Sequence, residues 1–255
     1  MGNKTVTFET KCYENDWDLL LKTKRLEKMI SYCNYAFDKK ILFINNVNDL
    51  NKVKHHADQC IKKGIIDEYY VVDEFANEAL SFFGIEKDSF KGGYYYSIAE
   101  LTGIYLSKTD YLLNFSSDSI MRKNSANWVH EAIKLMEKDE NLFVANPLWN
   151  NNFDGAKNRS LYEDDQFFYG YGFSDQCYLI KTADFRRQIY SEYNNASNRY
   201  PEHGSESFEK KVDSYMRNHS LLRLTNKDCT YFHNNFPKQI LARIIKKMAM
   251  NIYGQ

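Results

Sequence analysis

The sequence predicts an α/β fold, a mostly parallel central sheet with helices on both faces. Two observations carry the prediction. Strand-like and helix-like patterns alternate through the first 150 of 255 residues, the order that builds βαβ units and buries a sheet on both sides. Within that alternation the run Tyr111-Leu112-Leu113 breaks into the polar turn Ser116-Ser117-Asp118-Ser119. A short buried strand that ends in a small polar turn is the arrangement in which open sheets of this class place ligands, beyond the carboxyl ends of their strands.

The elements follow in order. "KTVTFET" reads as a strand, and Glu14 to Asn34 as a helix, with Trp17, Leu20, Leu21, Leu26 and Ile30 at roughly helical spacing. "KKILFINN" is a second strand and Leu50 to Lys63 a second helix; "DEYYVVD" is a third strand, and Ser97 to Ser107 a helix that delivers the chain into the strand Tyr111 to Phe115. Trp128 to Glu137 is helical and "NLFVANP" a fifth strand. Beyond residue 150 the periodicity fades into a long irregular segment, aromatic and glycine-rich, in which "FFYGYGF" reads either as core or as an aromatic stacking platform. A strand "QCYLIK", a helix from about Asp184, a helix from Glu206 to Asn218 and a strand "LLRLT" complete one domain over residues 1–235. Residues 236–255 form an amphipathic basic helix with apolar side chains at 240, 241, 244, 245, 248 and 252, flanked by Lys238, Arg243, Lys246 and Lys247.

Composition narrows the function classes. Lys and Arg number 34, as do Asp and Glu; zero net charge argues against a nucleic-acid partner, whose electrostatic footprint is basic. Five scattered cysteines lack zinc-ligand spacing and read as reduced thiols of a cytoplasmic protein. No run approaches 18 apolar residues. The paired His55-His56 reads as solvated.

The frame "AELTGIYLSKTDYLLNFSSD", residues 99 to 118, resembles the GT-A fold of nucleotide-sugar-dependent glycosyltransferases, most closely the family 2 type. There a helix patterned A-x-N-x-G-L runs without insertion into a strand ending in D-x-D. Ala99, Gly103, Ile104, Tyr111 and Asp118 fall on the pattern, while Leu101 replaces the helix Asn and Ser116 the first Asp. Weaker matches agree in order: "TFETKCYEND" after the first strand, "FINNVNDLNK" after the second, "SFEKKVDSYMRNH" for the helix that carries the catalytic base, and "TYFHNN" after the last strand.

The resemblance implies a single GT-A, Rossmann-like domain that moves a sugar from a nucleotide-diphosphate donor, a UDP-sugar first, to a hydroxyl of a glycan or lipid-linked glycan. It implies Thr10, Tyr13, Asn45, Ser116, Ser117 and Asp118 as donor contacts, with Asp118 and His233 as ligands of Mn2+ or Mg2+. Glu209 is implied as the base, with Glu206 as runner-up one turn back; Asp175 is read as an acceptor contact or as a strand start. The basic C-terminal helix either packs its stripe on the domain or lies peripherally on an anionic membrane. Two other classes stay open: a nucleotidyltransferase, which normally carries a Gly-rich basic loop where "TKCYENDW" has no glycine, and a sugar- or nucleotide-binding relative without activity.

Overall fold

The computed structural model of the protein describes residues 4–237 and 240–252. Its first half is a parallel sheet. β1 (Val6–Cys12), buried along its whole length, leads through α1 (Trp17–Leu21) and α2 (Arg25–Ser31) to β2 (Lys39–Ile44). The single helix expected over Glu14 to Asn34 is therefore two. Thr23 divides them: its hydroxyl donates to Leu19 O at 2.6 Å and accepts from Arg25 N at 3.0 Å, the local side-chain bonding that competes with a continuing helix. α3 (Leu50–Lys62), capped by Asp49 accepting from Lys52 N at 3.0 Å, crosses to β3 (Glu68–Val71).

α4 (Val72–Phe83) follows β3 directly where the sequence reading had no element. Val72, Ala76, Ala79, Leu80 and Phe83 are its buried stripe, a helical spacing that begins inside the valine pair assigned to the strand. α5 (Ile98–Leu106) then delivers the chain into β4 (Tyr111–Phe115). Gly103 lets α5 lie close on β1: a Cβ there would stand 2.5 Å from the Glu9 carboxylate.

The second half is mixed. It comprises β5 (Ser119–Met121), α6 (Trp128–Met136), β6 (Leu142–Trp149), α7 (Phe153–Lys157), β7 (Ser160–Glu163), β8 (Phe167–Gly170), β9 (Cys177–Lys181), α8 (Thr182–Phe185), α9 (Phe208–Asn218), β10 (Leu222–His233) and α10 (Ile240–Ile252). The ten strands form one sheet in the order β3-β2-β1-β4-β9-β6-β10-β8-β7, with β5 on the end of β10. β9 runs antiparallel to β4 and β6, β10 is parallel to β6, and β5, β7 and β8 enter antiparallel. The α/β architecture is as expected, but parallel pairing is concentrated in the first four strands.

Three local expectations change. The irregular stretch after residue 150 contains the β7–β8 hairpin, and Phe167 and Phe168 of "FFYGYGF" are core. α9 starts at Phe208 with Ser207 as its N-cap, because Ser205 takes a positive φ of 48°; Glu206 thus precedes the helix. In α10 the stripe residues Ile245 and Met248 are 61% and 62% exposed, and Met250 is buried instead. Lys238 of the expected basic flank lies outside the described residues. No described helix is long and apolar enough to cross a membrane.

Two apolar clusters sandwich the sheet. Leu42 and Ile44 join one and Ile41 and Phe43 the other, the alternation of a strand buried on both sides. All five cysteines are buried and free.

Candidate active site

The polar turn after β4 stands at the carboxyl end of the parallel strands. Ser116 Oγ donates to Asp118 Oδ1 at 2.9 Å and lies 2.7 Å from Ser119 Oγ. Antiparallel pairing of β5 with β10 sets His233 opposite Ser119 and brings His233 Nε2 to 3.2 Å from Asp118 Oδ2. Burial alone would raise the Asp118 pKa; the His233 hydrogen bond and charge and the Ser116 hydroxyl outweigh it, so the group titrates below its ordinary value. The two residues expected to share a metal therefore meet, although 115 positions separate them in the chain.

Asp118 borders two adjoining cavities. One, of about 860 Å³, is lined by Asp16, Trp17, Lys22, Lys52 and Tyr96. The other, of about 280 Å³, is lined by Arg25, Phe232, Phe236 and Lys246. Asp16 ties the loops together: it accepts from Tyr13 N at 2.6 Å and from Ser117 Oγ at 2.5 Å. Ser117 is thereby part of the loop brace. The Tyr13 ring packs against Tyr95 with centroids 5.3 Å apart, and its hydroxyl lies beside the buried Asn45 amide. Tyr13 and Asn45 thus come together. Thr10 does not join them. It is buried in β1, and its hydroxyl donates to the Phe115 carbonyl at 2.8 Å, so it fastens β1 to β4 inside the sheet.

A further cavity of about 200 Å³ opens between β10, β6 and α9, lined by Glu209, Trp149, Gln176, Tyr200, Arg223 and Tyr231 among others. Burial, and then the neighbouring Asp175 carboxylate, push the Glu209 pKa well above the usual carboxylate range; the Asp175 backbone N–H and Arg199 offset this only in part. The expected base and the expected acceptor residue are therefore neighbours. Glu206 is not in this cavity: its carboxylate pairs with Lys210 at 2.9 Å and Lys91 at 3.9 Å. The helix expected from Glu206 begins two residues later, and Glu209 sits in its first turn. Position in the cavity separates the two. His55 and His56 each bond Gln59 on α3, away from this chemistry.

Several charged residues at the site escaped sequence reading. Arg25 is buried beside Asp118, and burial pushes its pKa down to about 10. Beneath the site, Lys11 pairs with the buried Glu100, and burial pushes Glu9 up to about 8. For Glu9 and Lys11, a charged residue inside a strand pattern was the available signal. A broad depression of about 900 Å³ at the other end of the sheet, around Asp110 and Tyr111, is remote from these groups.

Among the described residues no group of three or more His, Cys, Asp or Glu is placed to hold a metal ion. Asp118 with His233 is a two-donor set at a cavity wall. It fits a Mn2+ or Mg2+ ion that takes its remaining ligands from phosphate oxygens and water.

No protein-family model matches the chain. Over 113 residues, 43% of its length, it is 27% identical to an uncharacterised protein of Acanthamoeba polyphaga mimivirus, of which those residues make up 14%. The fold is similar to that of GalNAc-T7, solved with UDP, GalNAc and Mn2+: TM-score 0.55 at 11% identity, covering 91% of this chain and 44% of that one. It is also similar to a mycobacterial protein, with TM-score 0.50, 11% identity, and coverage of 98% and 75%. The chain thus spans less than half the length of the mimivirus protein and of GalNAc-T7. The architecture and these likenesses agree on one point: this chain has the GT-A fold.

Proposed function

We propose that the protein is a glycosyltransferase that moves a sugar from a nucleotide-diphosphate donor, a UDP-sugar first, to an acceptor hydroxyl with inversion and with help from Mn2+ or Mg2+. The observation that carries this reading is the meeting of Asp118 and His233 at 3.2 Å, at the carboxyl end of β4 and against a cavity that reaches the Tyr13–Asn45 pair's loop. The GT-A fold, and the UDP and Mn2+ in the GalNAc-T7 structure, support the choice of donor.

Each residue then has a task. Tyr13, with Asn45 beside it, frames the nucleoside, and the Asp16–Ser117 brace holds the two loops that border it. Asp118, kept ionised by His233 and Ser116, would hold the divalent ion together with His233. When bound, that ion neutralises the diphosphate that leaves with the electron pair of the broken sugar bond. Glu209 takes the acceptor hydroxyl's proton as the oxygen attacks, and the Asp175 carboxylate beside it raises its affinity for that proton. The acceptor is a glycan or a lipid-linked glycan. The exposed Ile245 and Met248 on the basic α10 support a peripheral approach to an anionic leaflet, which liposome flotation tests: no binding of the intact protein to anionic vesicles removes it.

Calorimetric titration of UDP with and without Mn2+ tests the donor site. The expected result is metal-dependent binding that Asp118→Ala abolishes. Affinity indifferent to both the metal and the substitution leaves Asp118 as a turn residue. UDP binding without turnover of any nucleotide sugar, including slow hydrolysis, identifies an inactive binding relative.

A further inference from the structure

The cavity that holds Glu209 also gathers three arginines from distant parts of the chain: Arg159 before β7, Arg199 before α9, and Arg223 on β10. Two of them converge on the backbone at Gly172, whose φ is +122°. A side chain there would begin 2.9 Å from Arg199 Nη2 and 3.1 Å from Arg223 Nη1, so both guanidinium groups share one small volume.

The three differ in how their charge is met. Arg199 is answered inside the protein: it lies 3.2 Å from the fully buried Asp213 and donates to Tyr200 Oη at 2.9 Å. Arg223 is not. Its Nε is buried with no hydrogen-bond partner among the described residues. Burial acts most on its charge, followed by two phenols, Tyr200 and Tyr231, and two more cations, Arg159 and Arg199; among the described residues no carboxylate forms an ion pair with it. The Glu209 carboxylate is turned to Asp175 and Arg199. A half-buried guanidinium with an unpartnered buried Nε is costly, and adding like charges beside it raises the cost. Such an arrangement is sustained where a ligand supplies the missing anion, and a guanidinium fork matches the two oxygens of a carboxylate or phosphate.

We propose that the acceptor carries an oxyanion, a phosphate or carboxylate a few bonds from the attacking hydroxyl, and that Arg223, with Arg159 and Arg199 around it, binds that group in the Glu209 cavity. This rests on the glycosyltransferase reading for the word acceptor, but the anion site itself does not. It selects among hydroxyl compounds: a neutral sugar leaves Arg223 unanswered, whereas an acidic sugar or a sugar phosphate is fixed at one end by the arginines and presents its hydroxyl to Glu209 at the other. The aromatic wall of Trp149, 44% exposed, and Tyr171 then flanks the carbon skeleton.

Binding of inorganic phosphate, read by thermal shift and calorimetry against chloride at matched ionic strength, tests the site. The intact protein should be stabilised by phosphate, Arg223→Gln should weaken phosphate binding about 10- to 100-fold, the worth of hydrogen bonds to a charged partner, and Arg223→Lys should weaken it less. Asp118→Ala should leave the response in place, which separates this site from the donor site. Arg159→Gln, at an exposed position, carries the same test if Arg223→Gln does not fold. Glucose 6-phosphate, glucuronate and glucose then distinguish the sources: whichever charged sugar binds in an Arg223-dependent way names the oxyanion, and glucose should bind at least 10-fold more weakly. A phosphate response that is absent, indifferent to Arg223 and Arg159, or removed by Asp118→Ala overturns the proposal. If UDP does not bind but the Arg223-dependent response persists, the glycosyltransferase reading falls and the anion site stands; UDP binding without that response gives the reverse.

Discussion

Asp118 and Glu209 are both largely buried carboxylates on cavity walls, and their surroundings push them in opposite directions. Asp118 meets a hydroxyl donor and an imidazole and is held ionised below its ordinary pKa. Glu209 meets burial and a second carboxylate, Asp175, and is held well above its own. Pairs of acids pushed apart in this way mark a division of labour. Under the proposed function, one keeps a permanent charge, as a cation's ligand must; the other has a raised affinity for a proton, as suits a base. The difference is made by neighbours rather than by residue type, so neighbours are where to test it.

The largest effect is expected from Glu209→Gln, which should lower turnover by roughly 10² to 10⁴, the usual worth of a general base, with UDP affinity nearly unchanged. Glu206→Gln, tied to Lys210 and Lys91 outside the cavity, should be almost silent. The reverse pattern would break the comparison. His233→Gln attacks the other side: it should cost about 10- to 100-fold in metal-dependent UDP affinity, the range for lost support at a metal site, and spare metal-free binding. Equal losses with and without Mn2+ would show that His233 only buttresses the turn.

A subtler change sharpens the contrast without removing either acid. Asp175→Asn deletes the like charge beside Glu209 and so lowers its pKa. The acidic limb of the kcat/KM profile, which reports the free enzyme's base, should move to lower pH. An unmoved limb would mean that Asp175 does not feel the base. Glu9 is the internal control, a raised carboxylate buried under Gly103 rather than on a cavity wall. It titrates at about 8 in the folded chain against an ordinary 4.5. The unfolded chain therefore gives up its proton first, and stability drains away as pH rises from 4.5 to about 8. Glu9→Gln should flatten that fall in Tm between pH 5 and 9 and leave the pH–rate limb where it was; a parallel slope in wild type and variant would contradict it.

How much of this was readable in advance follows from how local each signal is. The helix-to-strand frame from Ala99 to Asp118 was legible because it is contiguous, and Gly103 within it has a steric reason in Glu9. α4 was hidden by an ambiguity of period: the adjacent valines 71 and 72 serve a strand and a helix in turn, and β-branched residues favour the strand reading. Thr10 was misplaced for a geometric reason, since a residue near the carboxyl end of a strand can still spend its hydroxyl on the next strand. The arginine cluster left no trace along the chain, because positions 159, 199 and 223 become neighbours only through the β7–β8 hairpin and the return of β10. The Glu209–Asp175 pair was half legible: each was singled out, but nothing local says that they touch.

β10 bears on both cavities: Arg223 and Tyr231 line one, and His233 faces Asp118 at the other. Between Arg223 and the other two lies the register shift from Asn226 to Thr230. Side chains on a strand alternate with period two, so a one-residue change in length there would turn both Tyr231 and His233 to the opposite face while leaving Arg223 where it is. That short bulge acts as a parity lock. Relatives of this chain should vary its length in steps of two, and a single inserted residue should withdraw Tyr231 from one cavity and His233 from the other at once.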